Sequence, residues 1–243
     1  MIRLKIFQAN VDQLPNEEYA MVRKNSFGAS DVATLFGLGF GTLEDMIATK
    51  ALDYLTEEEK GIGDLPNVRK GRDLEPLILQ KYIDKYDTGD PDYEITKPVH
   101  MYEIIPGLTV NFDATAGFAY PIEVKYVSTF GHKNYDTSKE EFEIEMVDKQ
   151  QGTIQEHIKF MAKKLGIPPY YYTQLQTQIM GLDAQFGILT ALFEKDWTLR
   201  TYKCPADPFF TRALSVEAPK SYKKLCEAKG IKIKEEKIEN FTY

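Results

Sequence analysis

The segment Pro121-Ile122-Glu123-Val124-Lys125-Tyr126 sets a carboxylate and an ammonium two residues apart. In a strand, alternate side chains share a face, so Glu123 and Lys125 project together, ~6.5 to 7 Å apart, while Ile122, Val124 and Tyr126 turn to the other side. Upstream, Asp113 ends a second alternating run, Leu108-Thr109-Val110-Asn111-Phe112-Asp113. The short turn between the runs lets them pair antiparallel, with Asp113 beside Glu123. Two carboxylates that close repel each other unless a cation lies between them, and hard oxygen ligands select magnesium or manganese. The plain alternative is a surface strand whose Glu and Lys form an ion pair. Against it stand Asp113, a helical Glu75 in Gly71-Arg72-Asp73-Leu74-Glu75-Pro76, and a polar stripe of Tyr171, Gln174 and Gln178 on a helix packed through Leu175 and Ile179.

The elements that must hold these groups follow from periodicity and punctuation. Residues 25–37 read as a short helix opened at Ser30 and stopped by Gly37, and a second helix starts at Thr42, with Asp45 completing a capping pattern. The acid- and glycine-rich stretch 53–66 reads as a loop. Leu74, Ile78, Tyr82 and Tyr86 keep helical period around Pro76, so that helix either begins near Arg72 or kinks there. Strands are expected over 93–100, 108–114 and 120–127, as a meander, with a surface excursion over 128–149 carrying a short strand at 142–146. Ile154, Ile158, Met161 and Leu165 mark an amphipathic helix ended by Gly166, and Pro168 or Pro169 begins the next. Strands over 188–193 and 198–203 and a helix over 210–228 close the chain. That order predicts an α/β fold, a mixed central β-sheet flanked by α-helices.

Composition bounds the partners. With 43% hydrophobic and 28% charged residues over 243 positions, the chain can bury a core, and one elaborated domain is expected over 1–243. A formal net charge of -7 weighs against a protein that coats nucleic acid or an anionic membrane by bulk charge, and leaves room for a local basic groove. Arg69, Lys70, Arg72, Lys125, Lys133, Arg200 and Lys203 could line such a groove, whereas Lys159, Lys163 and Lys164 read as the wet side of a helix. Two cysteines, Cys204 and Cys226, and three scattered histidines, His100, His132 and His157, form no metal or disulfide framework. No run of about 18 apolar residues is present and the start MIRLKIFQAN has no apolar core, so no membrane association and a cytoplasmic location are expected. Gly37-Leu38-Gly39-Phe40-Gly41 lacks phosphate-loop spacing and reads as an interhelical loop.

Taken in order, Arg23 to Gly37 (RKNSFGASDVATLFG), GRDLEPL, Phe112-Asp113, IEVK and YYTQLQ resemble the YqaJ-type viral recombinase family, the lambda-type exonucleases of the PD-(D/E)xK nuclease superfamily. The resemblance implies a restriction-endonuclease-like core over 66–210, an N-terminal helical part over 21–60 that binds DNA ends, and a C-terminal helix and tail over 211–243. It also implies that Asp113, Glu123 and the Val124 carbonyl hold one Mg2+ ion, that Asp113 and Glu75 place a second, and that Mn2+ substitutes. Lys125 would orient the attacking water and Gln174 would fix Lys125 or that water. Arg23 and Ser30 match the residues that grip a 5' terminal phosphate. One departure is plain: the family usually follows the metal-binding aspartate with glycine, and here Ala114 follows Asp113.

The activity so implied is magnesium-dependent 5' to 3' degradation of double-stranded DNA ends, leaving 3' single strands for phage-type recombination. The implied partners are a single-strand annealing protein and further copies of the chain in a ring-shaped trimer, in the host cytoplasm if phage-encoded. Two other activities stay open on the same residues: an endonuclease on branched, nicked or foreign DNA, and a catalytically silent DNA-binding module.

Overall fold

The computed structural model describes residues 4–232. In chain order it forms β1 (Lys5–Gln8), α1 (Asn16–Arg23), β2 (Phe27–Gly28), α2 (Val32–Leu35), α3 (Leu43–Ala51), α4 (Glu57–Ile62) and α5 (Pro66–Tyr86). Then come β3 (Ile95–Thr96), β4 (Met101–Ile105), β5 (Leu108–Val110), β6 (Ala114–Ala116), β7 (Tyr120–Val127) and β8 (Glu141–Glu143). The last elements are α6 (Ile154–Leu165), α7 (Pro169–Leu182), β9 (Phe186–Phe193), β10 (Leu199–Pro205) and α8 (Pro208–Ala228). The tail expected after the last helix lies, from residue 233 on, outside the described residues.

The strands form two sheets, a four-stranded one in the order β1-β4-β5-β2 and a six-stranded one in the order β3-β6-β7-β9-β10-β8. The larger is mixed: β7 runs parallel to β9 and β10 to β8, and the other pairs are antiparallel. Its two faces carry different partners. Ile122, Val124, Ile188 and Leu192 pack with Ile78 and Tyr82 of α5, while Leu189 and Ala191 pack with Leu175 and Ile179 of α7. Each fully buried aliphatic side chain of this kind contributes roughly 1.5–3 kcal/mol, so both helices are held to the strands that carry the chemistry. Strand alternation therefore puts Glu123 and Lys125 on one face, as the sequence predicts, and that face is the one toward α7.

Several helix starts obey local rules. Thr153 and Glu156 cap α6 reciprocally, Gly166 ends it in the left-handed region at φ 84°, and Pro169 occupies the first turn of α7. The expected loop over 53–66 instead contains α4, opened by a Thr56–Glu59 capping box whose signal sits inside an acidic, glycine-bearing stretch. Helix α5 neither begins at Arg72 nor breaks at Pro76 but runs through from Pro66. Pro76 is exposed, so the Arg72 carbonyl it deprives of a donor can turn to water.

The meander is corrected too. Residues 108–114 are not one strand: β5 pairs with β4 and β2 in the small sheet, and β6 pairs with β7 in the large one. Asn111 to Asp113 cross between the sheets. Strand β4 is not anticipated from the sequence; it turns into β5 at Gly107, whose φ of 78° and contact with the Tyr222 ring leave no space for a Cβ. The hairpin register survives the correction. Ala114 lies opposite Ile122, so one step further along the antiparallel pair Asp113 falls opposite Glu123.

Candidate functional site

Because β6 starts only at Ala114, the edge of β7 beside Val124 has no ladder partner, and Asp113 fills the place with its side chain: the Val124 amide donates to Asp113 Oδ2 at 2.8 Å. A residue's N–H and C=O leave the same edge of a strand, so the Val124 carbonyl also faces the Asp113 side. Glu123 is fully buried, and its carboxylate is gripped from α7: Gln174 Nε2 donates to Oε1 at 2.5 Å and Gln178 Nε2 to Oε2 at 2.6 Å. Lys125 Nζ pairs with Glu123 Oε1 and lies 5.1 Å from the centre of the Tyr171 ring. The open edge also lets α5 reach in from the opposite face. Glu75, Arg72 and Gly71 join Asp113, Val124, Lys125 and Tyr171 around one cleft of about 480 Å3.

These carboxylates strain against one another. Burial in the cleft wall, then the neighbouring Glu123, push the Asp113 carboxyl up to about 7, against the pull of Lys125. Burial and Asp113 also raise Glu75, although Lys97 Nζ pairs with it at 3.0 Å. Burial would make Lys125 give up its proton, but Glu123 and Asp113 outweigh that and hold it above the usual lysine range. Lys125 is therefore a fixed cation and donor, unable to serve as a base near neutral pH. The oxygens that could hold a divalent cation are those of Asp113, Glu123 and the Val124 carbonyl, with Glu75 at the border. Among the described residues no three His, Cys, Asp or Glu side chains stand at ligand spacing as they are; Glu75 is paired with Lys97, and Glu123 with Lys125 and the amides of α7.

Arg23 and Ser30 are brought together, Arg23 Nη2 donating to Ser30 Oγ at 2.8 Å. Ser30 is not the cap expected from the sequence. It lies inside a 3-10 turn, Ala29–Asp31, that begins at Gly28, and Asp31 Oδ2 accepts from the Gly28 amide at 2.8 Å. Helix α2 behind it has a single turn, so attraction for an anion comes from side chains and not from a helix dipole. Lys50 Nζ pairs with Asp31 at 3.0 Å, and Arg23 stands 3.6 Å from the same carboxylate. Burial alone would raise Asp31; Lys50 and Arg23 hold it below the usual carboxylate range. Two cations around one carboxylate leave a net positive pocket. The 3-10 turn and α2 pack on α7, the helix that also carries Gln174 and Gln178, so one element sets the distance between pocket and cleft.

Comparisons with known proteins bear on the family and the fold. A model of the YqaJ-like viral recombinase domain matches residues 18–182, a span that contains every candidate residue from Arg23 to Gln174. The chain belongs to the YqaJ-like viral recombinase family. An alkaline exonuclease from Laribacter hongkongensis shares the fold at a TM-score of 0.61 and 19% identity, over 88% of this chain and 95% of that one. The same enzyme solved in complex with dAMP gives 0.56 at 17% identity, over 88% and 93%. A phage-related exonuclease from Haemophilus somnus gives 0.57 at 12% identity, over 83% and 94%. No curated protein matches the chain.

Within this YqaJ-like fold Gln178 and Lys97 also touch the site carboxylates. Gln174 reaches Glu123 and not Lys125. Gln178, seen in the sequence only as part of a polar stripe, is almost fully buried and joins Glu123 to the Asn111 carbonyl at 3.0 Å. Its four-residue spacing from Gln174 is the signal that could have found it, since i and i+4 share a helix face. Lys97 had no local signal, because it arrives from the loop after β3. Several cations expected along a DNA path are already paired: Lys70 with Glu194, Arg200 with Asp196 and Lys203 with Glu143. Gln178→Leu should lower kcat by roughly tenfold, the worth of one hydrogen bond to a charged group. KM for DNA should move less than twofold. An equal rise in KM would show that Gln178 serves substrate binding instead.

Proposed function

We propose that the protein is a divalent-metal-dependent exonuclease that degrades one strand of double-stranded DNA from its 5' end. The observation that carries this reading is the interrupted edge of β7, where Asp113, Glu123 and the Val124 carbonyl face one cleft beside a lysine that keeps its proton. Two carboxylates and a carbonyl suit Mg2+ or Mn2+, which favour oxygen ligands and keep several waters. A divalent cation held there supplies Lewis acidity, lowering the pKa of attacking water and neutralising the phosphate. Lys125 orients that water and offsets charge growing on the phosphate, an electrostatic effect strengthened by the partly desolvated cleft. Gln174 and Gln178 keep Glu123 aimed, one amide on each carboxylate oxygen. Arg23 and Ser30 take the 5' terminal phosphate, and α7 fixes how far from that end the cut falls. Membership of the YqaJ-like family, and a fold shared with named exonucleases, support the same activity.

Linear duplex with 5' phosphates should shorten in magnesium and stay intact in chelator, while covalently closed circles survive. Cutting of closed circles would favour an endonuclease, and binding without metal-dependent cleavage a silent module. Arg23→Ala should lower kcat/KM on 5'-phosphorylated ends by about tenfold or more, the cost of one charge-assisted contact at ~1.5–3 kcal/mol. On 5'-hydroxyl ends the two proteins should act alike. An equal loss on both kinds of end would remove Arg23 from the phosphate pocket.

A further inference from the structure

A second groove, of about 620 Å3, adjoins the catalytic cleft and shares Asn134, Tyr135 and Tyr170 with it. Its walls carry Lys133, Lys159 and Lys163 against one carboxylate, Asp136. Sequence alone assigns Lys159 and Lys163 to the wet side of α6. Packing of α6 beside residues 133–136 instead makes them one wall of the groove. All three lysines are exposed, and among the described residues no ion pair within 4.0 Å engages any of them.

Aromatic rings flank the same groove. Phe40 at 92% and Phe130 at 79% are the most exposed large apolar side chains among the described residues. The Phe40 ring lies 5.2 Å from that of Tyr170, and Lys133 Nζ lies 4.3 Å from the centre of Phe130. Inward, Tyr170 meets Tyr171 ring to ring at 4.5 Å, and Tyr171 faces Lys125. The aromatic path thus begins at the catalytic ammonium and ends in the groove.

Unpaired lysines interleaved with exposed rings are the two parts of a single-strand site: ammoniums follow phosphates, and rings stack on bases of any sequence. A duplex cannot use the rings, because its base faces are already stacked. An acidic peptide would use the lysines and leave the rings bare. We propose that this groove binds single-stranded DNA continuous with the strand in the catalytic cleft. The proposal rests on the nuclease reading above.

The test is fluorescence anisotropy of a single-stranded oligonucleotide in chelator, across a salt series, alongside duplex degradation in magnesium. Lys133→Glu/Lys159→Glu/Lys163→Glu should weaken binding at least about tenfold and reduce the log–log salt slope by about 2, since each lost phosphate contact on a single strand removes ~0.7. Phe130→Ala alone should weaken binding about fivefold or more with little change in slope. Lys220→Glu/Lys223→Glu/Lys224→Glu on α8, with the same change of charge outside the groove, should stay within twofold of wild type. If the triple groove variant does not fold, Lys159→Gln/Lys163→Gln carries the test, with the slope expected to fall by about 1.4. Unchanged affinity and slope in the groove variants, while wild type still digests duplex, would overturn the groove alone. A wild type that neither binds nor cleaves DNA would overturn the nuclease reading and the groove with it. Groove variants that alter the sedimenting mass and leave DNA affinity untouched would show a protein interface and overturn the proposal.

Discussion

Asp113→Asn should abolish metal-dependent cleavage and at the same time make the protein more stable at pH 8. The two effects share a cause. Burial and the Glu123 carboxylate raise the Asp113 carboxyl from 3.8 to about 7, so the folded protein prefers it neutral. The stability this gives is full below about pH 4, falls as pH rises, and is gone once pH passes about 7. At ~1.4 kcal/mol per unit, the carboxylate costs on the order of a few kcal/mol at pH 8. Asparagine carries no charge and can still accept from the Val124 amide. Its melting temperature should therefore exceed that of wild type by several degrees at pH 8, with the gap opening between about pH 4 and 7 and level above. A gap that does not change with pH would mean that Asp113 feels neither its burial nor Glu123.

Metal reverses the comparison. A cation that binds the folded wild type raises its melting temperature by mass action, and Asp113→Asn should lose most of that shift. Cleavage should fall on the order of a thousandfold, as expected when several kcal/mol of charge stabilisation at the phosphate is removed. For wild type, affinity for the ion should climb as pH rises toward about 7, because the cation must displace the proton that burial and Glu123 hold on Asp113 in the metal-free protein. A magnesium-induced shift of equal size in both proteins would show that the ion binds elsewhere.

How much of this site could be read in the sequence depends on how local each contact is. Glu123 and Lys125 share a face by strand period alone, and Gln174 falls with Gln178 in a polar stripe at helical spacing; both features survive in the structure. Asp113 does stand beside Glu123, but not at the end of a continuous strand. The continuous strand expected before it is split between two sheets, yet the turn into β7 keeps the register, because that register depends on the hairpin and not on β5. Contacts that cross the chain left no such trace. Lys97 meets Glu75 from another loop, and Asp31 reaches back to Gly28 and joins Arg23 to Lys50, so no periodic pattern marks either cluster. Helix α4 was hidden because its capping box sits in a stretch whose acid and glycine content resembles a loop. The lysines of α6 show the opposite failure. Their spacing correctly marks the polar side of the helix, and only tertiary packing shows that this side lines a groove.

Lys125→Met should cost stability as well as activity, and the two losses should separate. The ammonium is the cation paired with a carboxylate whose side chain is 1% exposed. Removing one member of a buried pair leaves the other uncompensated, typically at ~3–5 kcal/mol; the amides of Gln174 and Gln178 on Glu123 place this case toward the lower end. Methionine preserves most of the apolar stem against Tyr171, so a drop of several degrees in melting temperature reports charge and not packing. Cleavage should fall about 10²- to 10³-fold, as for loss of one preorganised donor at a developing charge. Adding Glu123→Gln removes the stranded carboxylate, and the double variant should recover most of the lost melting temperature while remaining inactive. Magnesium should likewise stabilise Lys125→Met more than wild type, because a cation compensates the Glu123 carboxylate left without its ammonium, without restoring turnover. If Lys125→Met melts like wild type and the double variant melts lower, Glu123 draws its compensation from α7, and the lysine is held in the cleft for the substrate alone.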